Sequence, residues 1–358
     1  MIARSRALAV LVSLASLACM SHAEAPATTP SGARAGLAPR GFDAQLACVD
    51  WRRASSKTGD AYVDEHDSFP ELAPAASCYT RVHFDGARVS ADAPPPGCAW
   101  TAAAARDVLE QEAARYEAIA EGVAGVPLPA ELSCRLDDRV RRAAAANNAR
   151  TLRSLAQSDR VASFPYSAVV SFGYGNPRHG ASPILRWTPG DACFALGKDD
   201  LDALGVNEDR AGRAALAFAG GVAPVVAFSG GAIHSPLVEA FMLDFLATCK
   251  LGVPADRVML DPCADHTHTN VKNAGRLVAA LGGRAAFLVT DDGLQAGYLE
   301  EWTFFDWIGG SIDQRALRDF HYLVGSWRRA SDGIYGGYWF TPYRFLADRD
   351  LGDFRCVR

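Results

Sequence analysis

The chain has 358 residues, 49% of them hydrophobic and 22% charged, with a formal net charge of −5. This is the composition of a globular protein long enough for two domains, or for one domain with large extensions. The acidic balance argues against a nucleic-acid partner, because nucleic acid selects basic faces.

Residues 1–23 read as a signal peptide. Arg4 and Arg6 give a short positive region, and Ala7 to Ala18 form an uncharged apolar run. That run is roughly a dozen residues, short of the roughly 20 a bilayer span needs. Ser21-His22-Ala23 then offers small residues at the positions a signal peptidase reads, with cleavage expected before Glu24. Lipid attachment at Cys19 is the alternative, with Ser16 standing where that signal carries a Leu. No later segment is apolar enough to span a membrane, so the expected product is periplasmic or secreted, with no transmembrane segment after cleavage.

Of nine cysteines, loss of the segment bearing Cys19 leaves eight: Cys48, Cys78, Cys98, Cys134, Cys193, Cys249, Cys263 and Cys356. None form closely spaced pairs of the kind zinc sites use. In an oxidising compartment the even number implies four disulfides. Four cysteines precede residue 150 and four follow it, which predicts two separately stapled halves.

In chain order, residues 24–45 are rich in Ala, Pro, Thr and Gly and read as a flexible leader. Residues 46–160 form a disulfide-stapled, partly helical region. It has short strands around Tyr79 to Phe84 and helices over Thr101 to Glu121 and Leu132 to Ala156.

Residues 161–297 are more regular. Continuous apolar runs at Ser167 to Gly175, Ala223 to Gly231, Arg257 to Asp261 and Ala285 to Thr290 predict buried strands. Helices fall between them at Asn207 to Ala219, from the Ser235-Pro236 cap to Gly252, and at Thr267 to Leu281. The pattern predicts an α/β domain with a mostly parallel, doubly wound sheet. Residues 298–358 form an aromatic-rich C-terminal extension, with a strand at Tyr338 to Phe340. Fourteen of the chain's thirty-four aromatic residues lie between Tyr298 and Phe345. Such rings pack on the domain or stack on a glycan.

Ligands of parallel sheets bind beyond the carboxyl ends of the strands, and the polar clusters fall there. They are Gly173-Tyr174-Gly175, Ser229-Gly230-Gly231 with Glu239, Asp265 to Asn270, and Thr290-Asp291-Asp292. Helix starts favour an anion, glycines admit a ligand to the backbone, and hydroxyls adapt to it. Each cluster also has a plain reading. Ser229-Gly230-Gly231 suits a strand-to-helix turn, Thr267 and Asn270 suit caps, and Glu239 suits dipole stabilisation. His266, His268 and Asp292 are the candidate metal ligands, without a recognised spacing.

The order and spacing of these pieces resemble one family. The string runs Arg210-x-x-Arg213 to Gly221, Ala223-Pro-Val-Val-Ala-Phe-Ser-Gly-Gly231, Glu239-Ala240, Gly252-Val-Pro-Ala-Asp-Arg-Val258, Thr267-x-x-Asn270 and Leu288-Val-Thr290. It is similar to the YdcF/SanA/ElyC family, a bacterial domain-of-unknown-function family with envelope-associated members. The resemblance implies a Rossmann-like three-layer sandwich with its pocket at the strand ends and a link to cell-envelope integrity. One member is reported to bind S-adenosylmethionine; for this chain the cofactor is unknown. The chain departs from the family's pattern at Ala264 (usually Ser) and Thr269 (usually Glu). It also lacks the His and Arg that follow the last strand, where it has Asp291-Asp292-Gly-Leu294-Gln-Ala-Gly297.

Three readings follow. In the first, a small anionic or phosphorylated ligand, such as an envelope precursor, is held by the Ser229-Gly-Gly loop and the start at Thr267 to Asn270, with Glu239 as the candidate catalytic group. Gly173, Tyr174, Gly175, Thr290 and Asp291 complete that ligand-binding set. In the second, the protein is a non-catalytic envelope-integrity or binding protein that lost its chemistry with the His. The third is a metal-dependent hydrolase using His266 and His268. For the disulfides, five strand residues separate Cys249 from Cys263 by roughly 16 Å. Bridged Cα atoms lie about 5.5 Å apart, so these two are not partners, and Cys193–Cys263 is the expected bridge.

Overall fold

The computed structural model describes residues 80–158, 163–175, 182–197, 204–283, 285–291 and 293–299, with residue 200 and single positions and short segments between 310 and 340. The segments read as signal peptide and leader, Cys48, Cys78, Asp292, Cys356 and most of the aromatic-rich C-terminal segment lie outside the described residues.

The described chain opens with an antiparallel hairpin, β1 (Val82–Asp85) and β2 (Arg88–Ala91). Helix α1 (Ala102–Glu121) follows. The Thr101 hydroxyl accepts from the Ala104 N–H at 3.2 Å, and Gly122, at φ 78°, closes the helix. The single helix expected from Leu132 to Ala156 is two: a turn, α2 (Ala130–Ser133), and α3 (Asp138–Ala156). The chain breaks at Cys134, which is tied to Cys263, and restarts where the Asp137 carboxylate accepts from the Arg139 N–H at 2.7 Å.

Four parallel strands form the centre: β3 (Ala168–Phe172), β4 (Val226–Ser229), β5 (Val258–Asp261) and β6 (Ala286–Leu288), in the order β5-β4-β3-β6. Every residue of these strands is buried, as continuous apolar runs require of a sheet covered on both faces. Helices α4 (Asn207–Ala219) and α5 (Glu239–Phe245) pack on each other and on the sheet. Helix α6 (Thr267–Ala280) packs on the sheet with α1 and α2 beside it. A last short helix, α7 (Leu294–Leu299), follows β6. Two antiparallel strands, β7 (Trp327–Arg329) and β8 (Tyr338–Phe340), extend the sheet beyond β6.

Ser235-Pro236 does not start α5. The Ser235 hydroxyl accepts from the Leu237 N–H at 3.2 Å in a local turn, the helix begins at Glu239, and it ends in a π-type turn over Leu246–Lys250.

Helix α3 does more than lie over the body. The Asn148 amide donates to the Leu260 carbonyl at 2.9 Å and accepts from the Leu260 N–H at 2.7 Å, as a neighbouring strand would. Asn147 and Thr151 donate to the Val258 carbonyl at 2.7 and 2.6 Å. Strand β5 is the outer strand on this side, and three polar side chains satisfy the backbone groups that an open edge would present.

The disulfides correct two expectations. Cys134 pairs with Cys263 and Cys193 with Cys249, at Cα separations of 5.5 and 5.6 Å. The halves are therefore not separately stapled, because the first bridge joins the α2–α3 break to the loop after β5. Cys193–Cys263 fails because the segment bearing Cys193 does not stay at the pocket end. Trp187 and Phe194 pack on Phe245, with ring centroids 5.2 and 4.6 Å away, which draws the segment to the far end of α5. Cys249 and Cys263 are not partners, as the strand length demanded. These bridges fit an oxidising compartment. No helix among the described residues is long and apolar enough to cross a membrane.

Candidate functional site

The chain steps from β3 to β4 to β5 in one direction and then returns past β3 to β6, so the winding reverses between β3 and β6. Beyond the carboxyl ends of those two strands the crossovers diverge and leave a crevice. A cavity of about 490 Å³ opens there.

Glu239, the first residue of α5, enters this space from the side of β4. It is 6% exposed. Three glycines from two strand ends surround it. A Cβ at Gly173 would collide with the Glu239 Cβ, one at Gly175 would stand 2.7 Å from Oε1, and one at Gly230 would stand 2.6 Å from Oε2. Gly230 also has φ 150°, a conformation L side chains rarely adopt. Burial pushes the Glu239 carboxyl up to about 7, opposed by the Arg210 charge and by a hydrogen bond from the Gly175 N–H.

Helix α4 stitches the crevice from below. Asn207 exchanges hydrogen bonds with the Tyr174 N–H and C=O, both at 2.8 Å. One turn on, Arg210 donates to the Phe172 and Gly173 carbonyls at 2.8 and 3.1 Å, and from Nε to Asp291 at 2.5 Å. A further turn on, Arg213 donates to the Thr290 carbonyl at 2.9 Å. The Arg210-x-x-Arg213 spacing puts both guanidiniums on one helix face, joining the end of β3 to the end of β6. Burial lowers the Arg210 pKa, and the paired Asp291 opposes that.

The ends of β4 and β5 are built differently. The Gly230 and Gly231 N–H groups donate to the Asp261 and Ala264 carbonyls at 2.9 and 2.7 Å. Ser229 is wholly buried, its hydroxyl 2.5 Å from Asp261 Oδ2 and 2.8 Å from Asn270 Oδ1. Of the Ser229-Gly230-Gly231 loop expected to hold an anion, the Ser229 hydroxyl and the Gly230 and Gly231 N–H groups have acceptors inside the protein, and none of the three residues lines the cavity. Thr290 is also internal, donating to Gln295 at 2.6 Å.

At the start of α6 the capping group is Thr269, whose hydroxyl accepts from the Asp265 and His266 N–H groups at 3.0 and 2.8 Å. Asn270 is not a cap, because its amide oxygen faces Ser229. Thr267 lines the cavity in the first turn, where the leading N–H groups have no intrahelical acceptor. A hydrogen bond from His266 holds the Asp265 carboxyl well below its usual range. His268 faces the Asp319 carboxylate at 2.8 Å, and burial pushes its pKa down to about 4. Its imidazole is therefore neutral at neutral pH. Among the described residues no group of three or more His, Cys, Asp or Glu side chains could hold a metal ion.

The cavity thus gathers Gly173, Tyr174, Gly175, Glu239, Thr267, Asn270 and Asp291, with His266 and His268. Sequence reasoning missed Arg210 as a site residue, and missed Arg315 and His234, which also line the walls. The Arg210-x-x-Arg213 spacing was the available signal for the first; nothing local marked Arg315. Comparison with protein-family models, curated proteins and solved structures found no match.

Proposed function

We propose that this chain is an exported Rossmann-like protein of the cell envelope that binds and turns over a small phosphate-bearing ligand in the crevice between β3 and β6. Export follows cleavage after Ala23 into the periplasm or beyond, and the YdcF/SanA/ElyC resemblance supplies the envelope context. The observation that carries the reading is the convergence of Glu239, the Arg210–Asp291 pair and the first turn of α6 on one cavity. The partial positive charge of that turn suits phosphate oxygens, and the Arg315 guanidinium on the wall adds a full charge. A carboxyl that titrates near neutral pH gives or takes a proton at little cost, which makes Glu239 the general acid–base group.

The test is calorimetric binding and turnover of phosphorylated envelope precursors and nucleotides by the native protein and Glu239→Gln. The variant keeps the shape and removes the titration. We expect affinity within about threefold of native, a change below about 1 kcal/mol, and loss of turnover. Undiminished turnover in Glu239→Gln removes that residue from the chemistry. Binding without turnover in the native protein leaves the non-catalytic reading, for which the absent family His is the supporting feature. No binding of any phosphorylated compound ends the proposal.

A further inference from the structure

Beneath the cavity wall lies a chain of three side chains whose protons do not add up if Asp261 is ionised while Asn270 Oδ1 faces Ser229. Ser229 at the end of β4 stands within hydrogen-bond distance of two oxygens, Asp261 Oδ2 at 2.5 Å and Asn270 Oδ1 at 2.8 Å. A serine hydroxyl has one proton and can satisfy one of them. The other Asp261 oxygen accepts from the Cys263 N–H at 2.9 Å and the Asn273 amide at 3.1 Å, so it needs nothing more. Two buried acceptors facing a single donor would cost as much as an unmade hydrogen bond.

We infer that Asp261 is carried as the neutral acid and is the positioning residue of the cavity, giving its proton to Ser229 so that Ser229 can give its own to Asn270. The geometry then has a consequence at the wall. With Oδ1 committed to Ser229, the group Asn270 has left for the cavity is its NH2. The wall is a hydrogen-bond donor and selects ligands that bring acceptor oxygens, phosphoryl oxygens among them; this last step rests on the phosphate-binding reading. The rival arrangement keeps Asp261 ionised, turns the Asn270 amide over and presents an acceptor instead.

The surroundings favour the neutral acid. Asp261 is fully buried. The groups that face it are Ser229 from β4, Asn273 from α6 and the Cys263 and Ala264 N–H groups of the following loop, none of them charged. Burial without a cation raises the carboxyl to about 7, against the pull of those donors.

Asp261→Asn is the isostere of the neutral acid, with an amide N–H where the acid has its O–H, and is the central test. We expect it to fold and to melt at or above the native temperature at neutral pH. The native-minus-variant infrared spectrum at about pH 5, where an ordinary aspartate is ionised, should show a protonated carboxyl band. Inorganic phosphate should bind within about threefold of native in Asp261→Asn, and at least about tenfold more weakly in Asn270→Asp, which accepts from Ser229 but has no donor to offer. Carboxylate bands in the difference spectrum, or a much lower melting temperature for Asp261→Asn, overturn the inference whatever happens to phosphate. If the native protein fails to bind phosphate, the ligand class falls while the infrared and melting results still decide the state of Asp261.

Discussion

The two halves of the sheet's carboxyl rim use the same kinds of residue to opposite ends. At β3 and β6, the glycines Gly173 and Gly175 leave room for the Glu239 carboxyl that reaches across from the β4 side, and Arg210 and Asp291 border open space. At β4 and β5, Gly231 leaves room for the loop carbonyls of Pro262 and Ala264, and the polar groups are consumed among themselves. Both halves carry a Gly-rich strand exit, yet among the described residues Gly173 and Gly175 line the cavity while Gly230 and Gly231 do not. The lesson is that a glycine turn marks a close approach, and topology decides whether a ligand or the protein makes it.

The largest expected effect tests whether the halves share one electrostatic condition. Glu239 on the open side and Asp261 on the closed side are both raised to about 7, as is Asp244, a buried carboxyl farther along α5. Their ordinary values are near 4, so between there and about 7 the folded chain holds protons that the unfolded chain has lost. Stability is then greatest towards the acid end of that window and falls as pH rises, by up to about 1.4 kcal/mol per pH unit for each group. Asp265 works in the other direction, below the usual carboxylate range. Chemical denaturation from about pH 5 to about pH 8 should show the decline, and Glu239→Gln and Asp261→Asn should each flatten part of it. A stability that rises over this window would mean the carboxyls are not buried as described.

A smaller effect separates the two glycine turns. In Gly173→Ala the new methyl meets the base of the Glu239 side chain and stands 3.2 Å from its Cα, so the start of α5 must move. We expect a loss of about 3 kcal/mol together with loss of phosphate binding. In Gly231→Ala the methyl stands 2.9 and 3.0 Å from the Ala264 and Pro262 carbonyls. The expected cost is about 1–2 kcal/mol, with binding kept because Glu239 is undisturbed. Denaturation and calorimetry on both variants would break the comparison if Gly231→Ala were the one that lost its ligand.

The smallest effect sharpens it within α6. Thr269→Ala removes the acceptor of two N–H groups and should cost about 1 kcal/mol with little change in affinity. Thr267→Ala, on the cavity wall, should change stability by less than about 0.5 kcal/mol and weaken phosphate binding. Thermal melts with and without phosphate distinguish the two.

Much of this was legible along the chain. Four apolar runs located four parallel strands to within a few residues, and the polar clusters after them named most of the cavity wall. Glu239 was legible as the candidate catalytic group, and it lies in the cavity among Gly173, Gly175 and Gly230. Ser229 and Gly230-Gly231 were legible as a turn but not as an inward-facing one, since the acceptors of their protons sit on β5, its loop and α6, about thirty to forty positions away. The break at Cys134 was hidden because the residues on both sides favour helix and the interruption comes from a bridge spanning 129 positions.

Local pattern and composition by themselves determined the strands, the helices between them and the end of the sheet at which polar groups gather, because burial on both faces makes a strand a continuous apolar run and burial on one face gives a helix its period. The tertiary structure alone decided which cysteines meet, that Asn147, Asn148 and Thr151 close the edge of β5, and that Arg210 joins β3 to β6. Those contacts depend on which element arrives beside which, and hydrogen bonds between positions eighty to more than a hundred residues apart leave no spacing in the sequence to read.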